Sequence, residues 1–182
     1  MKEPVLKEKI LFVCHCFFND ATKLKYRPQQ EQQDERAQKR ALLTKLLKQD
    51  VEFIQLPCPE FLIYGSNRWG HVSNQFDTPF FRAESRELLK PYLLQLEEYL
   101  HHPKRFEILG VMGINGSPSC GVSYTCIGDW GGELSSHPHL DESIADCQKA
   151  SSSGIFMQVF QEMIAEKQFD IPFFSIDEHP FL

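Results

Sequence analysis

The sequence predicts a three-layer α/β domain, with a mostly parallel sheet of about four strands and helices on both faces. Three observations lead there. Four short apolar runs enriched in β-branched and aromatic residues, at positions 10–14, 51–56, 106–114 and 171–176, have the length of strands. Segments with helical periodicity separate them. The runs are almost continuously hydrophobic, as in Ile10-Leu11-Phe12-Val13 and Ile108-Leu109-Gly110-Val111-Met112, which suits strands covered on both faces. At 182 residues the chain is long enough for one domain, 1–182, with a hydrophobic core.

Taken in order, the first strand, 10–14, leads to a helix over 31–49. There Ala37 and Ala41, and Leu43 and Leu47, fall four apart among Glu, Arg, Gln and Lys, forming one apolar stripe on a polar cylinder. The second strand, 51–56, is followed by Thr78-Pro79, the pattern of an N-cap and a first-turn proline. That helix runs through Leu89, Pro91 should kink or restart it, and the pattern continues to Leu100. After the third strand, 106–114, residues 121–150 are poor in aliphatics and rich in Gly, Ser, His, Asp and Glu, the composition of a long loop or lid. Ser151-Ser152-Ser153 reads as a capping cluster ahead of Ile155, Val159 and Met163. The fourth strand, 171–176, closes the order, and alternation of this kind implies right-handed crossovers.

Composition narrows the function classes. With 42% hydrophobic and 24% charged residues, disordered and collagen-like chains are excluded. A net charge of −6 argues against nucleic acid as a partner held on a broad basic face. No apolar run reaches a membrane span, and the stretch from Ile10 to Phe18 is broken by His15 and lacks a cleavage site, so the expected location is cytoplasmic, where thiols stay reduced.

Six cysteines therefore need an explanation other than disulfides. In parallel α/β sheets ligands bind beyond the carboxyl ends of the strands. Cys16, Cys58 and Cys120 follow the first, second and third strands, so three thiols distant in sequence meet at one edge. Cys58 lies between Pro57 and Pro59; Cys120 lies in the glycine-, serine- and proline-containing stretch from Gly113 to Gly121. Three thiolates suit a soft metal centre: an iron–sulfur cluster with one open iron, or zinc with a water in the fourth position. A sensor or sulfur-carrier module that binds a cluster without turnover is a third reading. Cys14 shares the first strand with Cys16 and is a spare ligand, whereas Cys126 and Cys147 read as bystanders. Asp177-Glu178-His179 follows the fourth strand at the same edge. His137, His139, Trp69 and Trp130 are weaker candidates for ligation or stacking.

Leu56-Pro57-Cys58-Pro59-Glu60 and Gly116-Ser117-Pro118-Ser119-Cys120-Gly121, with His15-Cys16-Phe17-Phe18-Asn19 upstream, resemble the thiouracil desulfidase (TudS) family, especially its shorter TudS-related members. Gln75-Phe76-Asp77-Thr78-Pro79, Gly154-Ile155-Phe156-Met157 and Ile171-Pro172-Phe173-Phe174 extend the resemblance along the chain. It implies a Rossmann-like domain with a [4Fe-4S] cluster on Cys16, Cys58 and Cys120. It also implies removal of sulfur from a small thiolated nucleobase or nucleoside, with water replacing C=S by C=O and the open iron taking up the sulfur. Glu60, Ser117 and Ser119 map to the family's acid/base and positioning groups. Two departures stand out: Tyr26-Arg27-Pro28 replaces an Arg-Tyr-Asp-Gly word, and Cys14 stands where related chains are expected to have serine.

Overall fold

The computed structural model describes residues 6–129 and 131–181. Four parallel strands form the central sheet in the order β2-β1-β3-β6: β1 (Glu8–Val13), β2 (Val51–Gln55), β3 (Phe106–Gly113) and β6 (Phe173–Ser175). β1 pairs with β2 on one side and β3 on the other, so it is one of the two interior strands, as its sequence pattern predicts. Leu11, Phe12 and Val13 have no exposed surface, which is why this run shows no polar alternation.

The crossover from β1 to β2 carries α1 (Gln29–Leu47). The crossover from β2 to β3 carries α2 (Pro59–Tyr64), α3 (Ser73–Phe76) and α4 (Pro79–His101), and α6 (Ile155–Glu166) lies between β3 and β6. Chain progression reverses at β1, to β2 on one side and to β3 and β6 on the other. Right-handed crossovers therefore place α1 on one face and α4 and α6, which pack against each other, on the opposite face. This is the expected three-layer α/β arrangement. Its topological switch point lies between β1 and β3.

Several local expectations change. The buried residues of α1 are Lys39, Leu42 and Leu46, while Ala37, Ala41 and Leu47 face solvent. The true stripe is rotated because a lysine occupies one of its inward positions. Thr78 caps α4 as expected, its Oγ1 accepting from the Phe81 amide at 3.2 Å, but α4 runs unbroken through Pro91. Buried Leu89, Leu93 and Leu96 hold both halves on the sheet and on α6. Ser151 to Ser153 do not cap α6: its N-cap is Gly154, and Ser153 Oγ instead donates to the Val122 carbonyl at 2.7 Å. Residues 121–150 are more than loop, since β4 (Thr125–Ile127) pairs antiparallel with β5 (Gln148–Ala150) around α5 (Leu140–Ala145). These elements are too short and polar to show a period in sequence.

β3 carries a bulge against β1. Ile10 faces Ile108 and Leu11 faces Gly110, leaving Leu109 as the extra residue. Gly110 has φ 142°, and a β-carbon there would lie 2.6 Å from the Pro172 carbonyl oxygen and 2.7 Å from the Phe174 ring, so only glycine lets β6 close on β3. Among the described residues, no helix is long and apolar enough to cross a membrane.

Candidate functional site

Each strand leading to the site ends in a turn that presents a cysteine. β1 stops at Val13, and the chain turns through a 3₁₀ segment, His15–Phe17, closed by the Phe17 amide on the Cys14 carbonyl at 3.0 Å. Lys39, only 4% exposed, reaches in from α1: its Nζ donates to the Cys16 carbonyl at 2.8 Å and also pairs with Asp20 and, at 3.2 Å, with Glu35. After β2, Cys58 is the N-cap residue of α2 and Pro59 its first residue, so Glu60 falls in the first turn, where the helix dipole favours a carboxylate.

The third turn is the most constrained. The Ile114 amide donates to the Cys120 carbonyl at 2.9 Å, the Gly121 amide to the Ser117 carbonyl at 3.1 Å, and the Cys120 amide to Ser117 Oγ at 3.0 Å. The loop is also docked on α6: the Ile155 and Met157 amides donate to the Pro118 and Ser119 carbonyls, both at 3.1 Å. Amides that a helix N-terminus leaves unpaired thus hold the cysteine loop.

Cys16, Cys58, Cys120, Glu60, Ser117 and Ser119 all line one cavity of about 320 Å³. A larger groove of about 720 Å³ beside α2 and α4 contains Leu62, Tyr64 and Phe80 but no thiol; the smaller cavity concentrates the reactive groups. Within it, Ser119 Oγ donates to Glu60 Oε1 at 2.6 Å, and Ser117 Oγ lies 3.4 Å from Ser119 Oγ. The other Glu60 oxygen accepts from Arg68 Nε at 3.2 Å. Arg68 also donates to the Gly65 carbonyl at 3.2 Å and the Thr22 carbonyl at 2.8 Å, clasping two loops around the carboxylate.

The cavity wall near Cys16 is cationic in an otherwise acidic protein. Lys23 and Arg27 line it and share Glu35, with Arg27 Nη2 at 2.8 Å from Oε2. Burial pushes Glu35 up, but hydrogen bonding and charge from Lys23, with Arg27 and Lys39, outweigh it and hold the carboxyl at about 2. A hydrogen bond from Cys14, helped by Lys23 and Lys39, lowers the Cys16 thiol against its own burial. Burial pushes Cys58 up to about 11 and raises Cys120 well above the ordinary thiol value. A metal held by these thiols would have to displace the protons that burial favours on Cys58 and Cys120.

These donors suit a cluster in kind, and all three line one cavity. All three are soft, they come from three separate turns, and positive groups lie beside them. The His15 Nε2 atom at the same cavity is buried without a hydrogen-bond partner among the described residues. Among the described residues, no three His, Cys, Asp or Glu side chains gather tightly enough to hold one ion. A cubane spreads its cysteines over separate irons and asks for wider spacing.

No model of a protein family matches the chain, and no solved structure matches it. Among curated proteins, the chain is 35% identical over 77 residues to an uncharacterized protein of Methanocaldococcus jannaschii. The match covers 42% of this chain and 47% of that relative, so it spans about half of the relative's length.

The remaining cysteines separate clearly. Cys14 is fully buried behind Cys16 and does not line the cavity; Cys126 is half-buried, 3.8 Å from the His71 carbonyl, and Cys147 is exposed. Glu178 accepts from Asn115 Nδ2 at 3.2 Å and from Ser123 Oγ, and Asp177 accepts from Ser175 Oγ at 2.5 Å. These carboxylates brace the Cys120 loop from outside. His137 and His139 lie away from the cavity, Trp69 is exposed, and Trp130 lies outside the described residues. Arg68, Lys39, Lys23 and Glu35 were missed in sequence. Their only signals are an arginine eight residues beyond Glu60 and a lysine in an inward helical position.

Proposed function

We propose that the chain is a [4Fe-4S]-dependent desulfidase that converts C=S to C=O in a small thiolated nucleobase or nucleoside. Cys16, Cys58 and Cys120 would hold the cluster. The observation that carries this reading is the Ser117–Ser119–Glu60–Arg68 chain, set in the same cavity as the three thiols. When bound, a cluster held by three thiolates supplies an open iron, a soft Lewis acid suited to a thiocarbonyl sulfur.

The rest falls to the chain's own side chains. Exchange of sulfur for oxygen at carbon consumes one water and releases hydrogen sulfide, with no net electron transfer. Water must lose protons near the reacting carbon, and the departing sulfur must gain them. Glu60 accepts a proton on Oε1, the oxygen already bonded to Ser119, and Ser119 and Ser117 form a hydroxyl path along which it moves. Arg68 holds the carboxylate in place and keeps its second oxygen occupied. A cavity of about 320 Å³ suits a small planar ligand.

Anaerobic reconstitution with iron and sulfide, followed by metal analysis and incubation with thiouracils and thiouridines, tests this. The expected result is iron and acid-labile sulfide in the protein and sulfide release on turnover. Cys16→Ala, Cys58→Ala and Cys120→Ala should each lose the cluster. Zinc in place of iron, or a cluster with no turnover of any thiolated base, overturns the reading.

A further inference from the structure

Cys14 has no part in the chemistry above, yet its sulfur lies 3.9 Å from that of Cys16. Among the described residues, no other pair of cysteine sulfurs lies within hydrogen-bonding distance. Cys16 borders the cavity, and Cys14 is fully buried behind it. A small oxidant entering the cavity therefore meets Cys16 first, with Cys14 already at its back. This is the arrangement of a reactive thiol and its resolving partner. A disulfide has an S–S distance of about 2.0 Å, so the sulfurs must approach by roughly half their present separation. The backbone is anchored on both sides: the Cys14 amide donates to the Met112 carbonyl at 2.9 Å, and Lys39 holds the Cys16 carbonyl.

We propose that Cys14 and Cys16 form a reversible disulfide in the cluster-free chain, with a hydroperoxide as oxidant, and that this bond gates cluster loading by withholding a ligand. The gating rests on the reading of Cys16 as a cluster ligand. In the first step the Cys16 sulfur attacks peroxide: an S–O bond forms, the O–O bond breaks and water leaves, giving a sulfenic acid. The Cys14 sulfur then attacks the Cys16 sulfur; an S–S bond forms, the S–O bond breaks and a second water leaves. Two thiols are oxidised by two electrons and one hydrogen peroxide is reduced to two waters. With one residue between the cysteines the bond closes a very small ring, and strained disulfides are the readily reduced ones. A dithiol then restores both thiols and frees Cys16 as a ligand.

The test uses the full-length cluster-free chain, treated with one equivalent of hydrogen peroxide. Intact mass and peptide mapping should show the loss of two hydrogens and a bond between Cys14 and Cys16. Subsequent anaerobic loading should fall in proportion to the bonded fraction and recover after dithiothreitol. In Cys14→Ser, and in Cys14→Ala as a second variant, the Cys14–Cys16 bond is absent and oxidation of Cys16 stops at a sulfenic acid, seen as the gain of one oxygen or its dimedone adduct in place of the loss of two hydrogens. A bond mapped from Cys16 to Cys58 or Cys120, or no bond at all, overturns the proposal. A chain that forms the bond but takes up no cluster when reduced refutes the cluster reading, and the gating with it, while leaving the bond itself established.

Discussion

The Ser119 hydroxyl donates to Glu60 Oε1 at 2.6 Å across an interval of 59 residues, with both residues buried. The bond joins the loop after β3 to the first turn of α2, so the two cysteines beside it, Cys58 and Cys120, are held in register by the same contact. It has a structural and a chemical consequence that substitution separates. Ser119→Ala leaves a buried carboxylate oxygen unpaired and should cost about 1–3 kcal/mol of stability, measured by urea unfolding. Glu60→Gln keeps the shape and the Arg68 side intact but cannot accept a proton. Its sulfide release should fall by roughly 10²- to 10⁴-fold while cluster content is unchanged. A Glu60→Gln protein with normal turnover would remove Glu60 from the proton path.

Arg68 makes the arrangement possible. Its side chain is 5% exposed, that of Glu60 is 10% exposed, and three hydrogen bonds tie it to Glu60, Gly65 and Thr22. Arg68→Met strands the carboxylate and breaks both loop contacts, so a loss of about 3–5 kcal/mol is expected, the usual consequence of removing one partner of a buried pair. Arg68→Lys should recover less than half of this, because a single ammonium cannot span three acceptors in different directions. Equal stability of the Lys variant and the wild type in urea would show that charge alone, and not the guanidinium fork, matters here.

The parts of this molecule that were legible in sequence are those governed by local rules. Continuous apolar runs marked the four sheet strands, Thr78 and Pro79 marked the start of α4, and the strand-end rule brought Cys16, Cys58 and Cys120 to one edge. What stayed hidden depends on partners far along the chain. Lys39 spoiled the α1 stripe because a lysine counts as polar until Asp20, Glu35 and the Cys16 carbonyl are seen around it. Ser151 to Ser153 looked like caps because nothing in their own neighbourhood shows that loop carbonyls of Pro118 and Ser119 take the α6 amides. Arg68 carried no pattern, since its partners lie 3, 8 and 46 residues away.

Acid should weaken the wall beside Cys16 through Glu35. In the folded chain this carboxyl sits at about 2, against 4.5 for the free group. A depressed carboxylate contributes stability that is fully present above the unfolded value and is lost as pH falls toward the folded one. The melting temperature should therefore decline between pH 4.5 and pH 2 by more than in Glu35→Gln, which lacks this titration. Above pH 5 the Glu35→Gln protein should already be the less stable, because Lys23, Arg27 and Lys39 lose their shared anion. Parallel acid profiles for the two proteins would mean that Glu35 is not held by these cations in solution.

Gly154 tests whether the docking of α6 onto the Cys120 loop matters to the site. A β-carbon there would lie 2.5 Å from the Ser119 carbonyl carbon and 2.8 Å from the Pro118 oxygen, with backbone and not a flexible side chain in the way. Either α6 or the loop must move, and the Ile155 and Met157 amides would lose geometry on their acceptors. Gly154→Ala should therefore cost about 2 kcal/mol or more, at the overpacking end of the usual range. Because the displaced atoms belong to Ser119, next to Cys120, the fall in cluster uptake on reconstitution should exceed the unfolded fraction. Gly131→Ala is the control: among the described residues, and apart from its chain neighbours, nothing lies within 4 Å of its added β-carbon, so both stability and uptake should stay at wild-type values. If Gly154→Ala loses stability while its folded fraction loads normally, the loop tolerates displacement and the α6 contact serves the fold alone.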